Sequence, residues 1–192
     1  MTNISMRKPY HLNVLKERFG NRSVQAAYIV INGFITIALL ATLALITRQP
    51  YLFPSLGPTA IILFATPTVA VAAPRNVILG HLIGVLAGYG ALVLTDLTLD
   101  PPTFVAGVTG ARVVAASLAL AVTGGLTAWL DCQHPPAGAT TLIIALGIMS
   151  RPATLVVLMG AVLLLVIQAI VINRMAGLPY PMWKTEASPG GR

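Results

Sequence analysis

Ser55, Gly57 and Thr59 lie in the run Pro54-Ser55-Leu56-Gly57-Pro58-Thr59. His134, Gly138, Thr140 and Thr141 lie in Asp131-Cys132-Gln133-His134-Pro135-Pro136-Ala137-Gly138-Ala139-Thr140-Thr141. Hydroxyls donate hydrogen bonds, an imidazole donates or carries a proton, and glycine lets a ligand approach the backbone. Together they are a donor set suited to a small anion. Each run also breaks a helix and then starts one. A helix start offers unpaired N–H groups and about half a positive charge, which attracts anions. Such a site needs no cofactor and no metal. Asp131, Cys132 and His134 are the only clustered nucleophile, base or metal-ligand candidates, and three ligands within four residues would need help from elsewhere.

The two runs share Pro, Gly and Thr in register at an offset of 81 residues. Each follows a long apolar segment and precedes a shorter apolar helix, a boundary arginine and another long segment. This order predicts an internal repeat of two three-segment units, residues 24–95 and 103–173, each with one broken helix starting at Pro-x-x-Gly-x-Thr. An odd number of crossings per unit inverts the second unit relative to the first. Extended chain advances about 3.3 Å per residue, so both half-helices can start near the membrane midplane with their N-termini facing. Broken helices from inverted repeats, with sites at the midplane, recur in secondary transporters.

The chain that positions these runs has 192 residues, 56% hydrophobic and 9% charged. Soluble domains carry about 25% charged residues, so the expected fold class is an all-α polytopic membrane protein. Spans are expected at residues 24–47, 77–95, 104–130 and 153–172, with shorter apolar segments at 60–73 and 141–149. Residues 1–23 form a basic tail in which 10–19 is either an interfacial helix or solvated chain. Residues 174–192 form a second, mobile tail. The net charge of +7 does not mean nucleic acid, because the basic residues flank the spans and none interleaves with aromatics. With six crossings and the N-terminus in the cytoplasm, nine basic residues fall inside and Arg48 and Arg151 outside, as positive-inside bias favours. A four-span alternative, with both proline-led segments re-entrant, places Arg75 outside. One cysteine excludes an intrachain disulfide.

Four further residues are secondary candidates. His81 sits inside its span and is expected to bond a neighbouring carbonyl. Arg112, also within a span, either serves the site, snorkels, or pairs with Asp96 or Asp100. Arg75 and Asn76 mark a boundary. Gly80, Gly84 and Gly88 recur every four residues, a close-packing pattern.

The run Gln133-His134-Pro135-Pro136-Ala137-Gly138-Ala139-Thr140 resembles the signature of the HPP family of integral membrane proteins. Pro54-Ser55-Leu56-Gly57-Pro58-Thr59-Ala60 and Pro74-Arg75-Asn76-Val77-Ile78-Leu79-Gly80-His81 resemble its other blocks, so the likeness spans roughly residues 24–173. Members are usually described with four transmembrane helices, which fits six segments only if two are short and broken. Plant and cyanobacterial relatives are linked to nitrite transport, so the resemblance implies nitrite as the anion. The expected setting is a bacterial plasma membrane, with the lipid bilayer and further copies of the chain as partners. A non-transporting sensor or assembly subunit and a membrane enzyme using Cys132 and His134 are the alternatives.

Overall fold

The computed structural model describes residues 11–185. They form α1 (Leu12–Phe19), α2 (Asn21–Thr47), α3 (Leu56–Ala65), α4 (Pro74–Leu94), α5 (Thr103–Ala106), α6 (Gly110–Trp129), α7 (Pro136–Ala145) and α8 (Pro152–Met175), with a 3-10 turn at Ala70–Ala72 before α4. There is no strand among them. The all-helical, multi-pass expectation therefore holds. Four helices, α2, α4, α6 and α8, are long and apolar enough to cross a membrane. The 10-residue helices α3 and α7 are each about 15 Å long, roughly half of a hydrocarbon core.

The path between these helices follows from their contacts. Leu12 N–H donates to Ala176 O, so the start of α2 and the end of α8 share one end of the bundle. Gln25 Nε2, in the first turns of α2, reaches Phe64 O and Ala65 O, so α3 finishes at that same end. The extended stretch 48–53 must therefore descend from the far end of α2 before α3 begins. Arg112 Nη1, at the start of α6, reaches Ala145 O, so α7 finishes at the opposite end. The two short helices thus run in opposite senses, and each completes a passage that an irregular segment begins. In both halves the order is long helix, short helix, long helix.

Close packing sets the bundle centre. Half of the apolar window of α4 is buried. An added Cβ on Gly80 would lie 2.9 Å from His134 Cβ, and on Gly84 2.8 Å from Ala137 O and Thr141 Oγ1. One on Gly88 would lie 2.9 Å from Thr141 O and Ile144 Cβ. The four-residue glycine stripe is therefore the seam along which α4 and α7 touch. Backbone-to-backbone approach of this kind is how helices associate where lipid is as apolar as leucine.

Some expected boundaries move. Residues 10–19 do contain a helix, α1, although Tyr10 lies outside the described residues. The expected span 104–130 is broken at Gly107, whose φ of +74° ends α5 and lets α6 start afresh at Gly110. The half-helix of the second motif begins at Pro136, inside the Pro-x-x-Gly-x-Thr run, because proline at the first helical position is already shaped for a helix. The mobile tail is corrected for residues 176–185. Tyr180 is 1% exposed and its hydroxyl donates to Ala72 O at 2.7 Å, while Arg75 N–H donates to Trp183 O at 2.9 Å. Residues 186–192 lie outside the described residues.

Candidate functional site

The two motifs meet where α3 and α7 begin. Ser55, Thr59 and Thr140 are each fully buried, as is His81; His134 is 3% exposed. Ser55 Oγ lies 2.6 Å from Thr140 Oγ1. One imidazole joins the motif threonines. His81 Nδ1 is 2.8 Å from Thr140 Oγ1, and its Nε2 is 3.1 Å from Thr59 Oγ1. His134 Nε2 is also 3.1 Å from Thr59 Oγ1, and its Nδ1 is 2.7 Å from Val71 O. The two rings have centroids 5.1 Å apart. Thr59 Oγ1 additionally lies 2.9 Å from Ser55 O.

Local sequence explains this convergence. Pro74 at the start and the absence of any interior proline let α4 run 21 residues, with His81 the eighth. At 1.5 Å per residue His81 is about 4.5 Å from the middle of that helix. Gly80 removes the side chain that would hold His134 away. Pro135 and Pro136 fix the turn that turns His134 inward. Thr59 and Thr140 each lie one turn into a short helix, so their hydroxyls point back over its start.

The expected unpaired N–H donors are corrected. Leu56 N–H donates to Phe53 O and Gly57 N–H to Pro54 O, while Ala137 N–H donates to His134 O and Gly138 N–H to Pro135 O. Pro58, Pro135 and Pro136 have no N–H to offer. Tight turns thus consume the donors that a ligand was expected to use. What remains at this place are the hydroxyls and the two imidazoles.

The other candidates divide. His81 joins the centre and bonds hydroxyls, not the carbonyl expected for it. Thr141 turns to the other face of α7, where its Oγ1 donates to Ala137 O and lies 2.9 Å from Thr123 Oγ1. Gly57 has open space where a Cβ would stand, and Gly138 faces Leu120 at 3.4 Å. Arg112 is 2% exposed and reaches the carbonyls of Ala145, Asp100 and Pro101. It neither snorkels nor meets a carboxylate; it ties the end of α7 to the loop before α5. Gly147, at φ +77°, gives its guanidinium room. Arg75 does the same at the tail end, donating to Leu130 O and Asp131 O. Asn76 Nδ2 reaches Gln133 O at 3.5 Å. None of these three touches the centre.

A cleft of about 320 Å³ opens beside His134, lined by Val71, Leu120, Thr123, Gly124, Thr127, Gln133, Pro135 and Gly138 as well. Val71, Thr123 and Thr127 were not among the residues singled out in the sequence, and Gln133 was only part of the motif. Thr123 and Thr127 are four residues apart on one face of α6, which was a readable signal. Val71 acts through its carbonyl, which no side-chain pattern reveals. Both ring nitrogens of His134 are taken by Thr59 and Val71, and Asp131 faces Lys184 at 3.5 Å. Among the described residues no group of three His, Cys, Asp or Glu could hold a metal ion.

The profile described as "HPP, transmembrane region" matches residues 20–181. A protein of Dictyostelium discoideum described as a transmembrane protein is 29% identical over 160 residues, covering 79% of this chain and 52% of its own length. The chain therefore spans about half the length of that curated relative. No solved structure matches the chain.

Proposed function

Since the chain belongs to the HPP family of transmembrane proteins, we propose that it moves a small inorganic anion, nitrite foremost, across a plasma membrane through the centre formed by Ser55, Thr59, His81, His134 and Thr140. One observation carries this reading. A single buried imidazole, His81, bridges the threonines of both motifs. A polar cluster in an apolar bundle is expensive and is usually functional. It lies where two oppositely running short helices begin, the arrangement in which transporters hold their cargo. His134 connects it to the cleft beside α6.

The same reading takes the two halves as an inverted repeat, supported by their common order and the opposite senses of α3 and α7. It takes the tail end as cytoplasmic, supported by Lys16, Arg18, Arg22, Arg75, Arg174 and Lys184 gathered there. It takes further copies of the chain as neighbours in the bilayer. Nitrite uptake into proteoliposomes, set against protein-free vesicles, tests the function. Faster uptake with protein supports it; equal uptake of nitrite, nitrate and formate with and without protein refutes it.

A further inference from the structure

The hydrogens of the central cluster can be assigned from chemistry alone. A carbonyl only accepts, so His134 Nδ1 carries a hydrogen and donates it to Val71 O. In a neutral ring, His134 Nε2 must then accept, and Thr59 is its partner. The Thr59 hydroxyl owns one hydrogen. Spending it on His134 means that Thr59 Oγ1 accepts from His81 Nε2–H. His81 Nδ1 then accepts from Thr140, and Thr140 accepts from Ser55. Every donor of the chain is thus committed to a neighbour. Thr123 and Thr127, in the cleft, are committed as well, to Ala119 O and Thr123 O. The neutral cluster therefore has no donor to spare for an anion.

One added proton leaves every donor committed but changes the charge of the cluster. It bonds to His134 Nε2, which becomes a second donor and points at Thr59 Oγ1. The Thr59 hydrogen swings to Ser55 O, 2.9 Å away and already in place. Thr59 Oγ1 then accepts from both imidazoles and donates once, which fills its capacity. Both arrangements fit the same heavy-atom positions. The protonated one places a positive charge beside the cleft.

The geometry points to proton-coupled transport: the His134–His81 pair takes up one proton with each anion and releases both on the other side, with Thr59 as the swivel. This rests on the anion-transport reading above. One positive and one negative charge move together, so the cycle is electroneutral. No other ionisable group among the described residues hydrogen-bonds either ring. From α4 and the α6–α7 connection, the nearby ones are Arg75, held by carbonyls, buried Cys132, and Asp131, paired with Lys184. Tyr180, from the tail, is bonded to Ala72 O. On α6, Arg112 is occupied at the far end of the bundle.

The test measures initial nitrite uptake into proteoliposomes, with uptake by protein-free vesicles subtracted to remove leakage of the undissociated acid. Lowering the outside pH by one unit at clamped zero potential is expected to raise the rate about tenfold. A membrane potential imposed without a pH difference is expected to leave it unchanged. Uptake driven by the potential and indifferent to pH overturns the coupling while the anion reading stands. No uptake above vesicles under either condition removes the anion reading, and the coupling with it. Thr59→Ser, which keeps the swivel, is expected to keep the pH response, and Thr59→Val to lose it.

Discussion

Thr59 Oγ1 lies 3.1 Å from Nε2 of His134, across 75 residues of sequence, and the same oxygen lies 3.1 Å from Nε2 of His81. One hydroxyl thus serves two imidazoles brought by two different elements. The chemistry of the site turns on this oxygen, because nothing else in the cluster contacts both rings.

Replacing Thr59 by Val is expected to leave both ring nitrogens without their partner. A buried polar group stranded in this way costs about 1–3 kcal/mol, so melting in detergent should shift down measurably. Thr59→Ser should recover most of the loss. Equal melting of Thr59→Val and the parent would show that the hydroxyl holds nothing.

His134→Ala removes the residue shared by the cluster and the cleft. Losing the positive charge that His134 brings beside the cleft should cost about as much as an interaction with a charged group, about 1.5–3 kcal/mol, so anion uptake should fall by about 10- to 100-fold. The protein should still fold, since the ring lies beside an existing cleft. Full uptake by this variant would exclude His134 from the path.

Gly84→Ala tests the α4–α7 seam. Its new methyl would lie 2.8 Å from both Ala137 O and Thr141 Oγ1, and overpacking of this kind costs about 1–3 kcal/mol. Gly90→Ala has open space around it and should melt like the parent. Thermal unfolding of the pair checks this directly.

Cys132 is buried beyond the end of α6. Burial pushes its thiol up, Arg75 opposes this, and Asp131 adds to it. The thiolate is the reactive form, so maleimide labelling at neutral pH should be slow and should accelerate only above the usual thiol range. Rapid labelling at pH 7 would place this connection in open water.

Much of the layout was legible in the residues. The 81-residue offset placed Thr59 and Thr140 in equivalent positions, and they do meet through His81. Pro136 and the glycine stripe marked a helix start and a helix seam, because proline and glycine act through the backbone. What the pattern hid was hydrogen-bond commitment. Helix starts offer free N–H groups only until a turn carbonyl claims them, and Phe53, Pro54, His134 and Pro135 supply those carbonyls. Arg112 could not be placed from sequence, because its partners are backbone oxygens of Ala145, Asp100 and Pro101, which look alike at every position. The anchored tail was hidden likewise, since Tyr180 finds a carbonyl, Ala72 O, more than a hundred residues away.

The central claim is that both motifs build one anion site. Tracer nitrite flux through proteoliposomes carrying the parent, Thr59→Ser, Thr140→Ser and Thr140→Val tests it most directly. The account predicts near-parental flux in both serine variants and a loss of about tenfold or more in Thr140→Val, even though Thr140 lies in the second motif and touches His134 only through His81 and Thr59. Parental flux in Thr140→Val, with the protein folded, would contradict it.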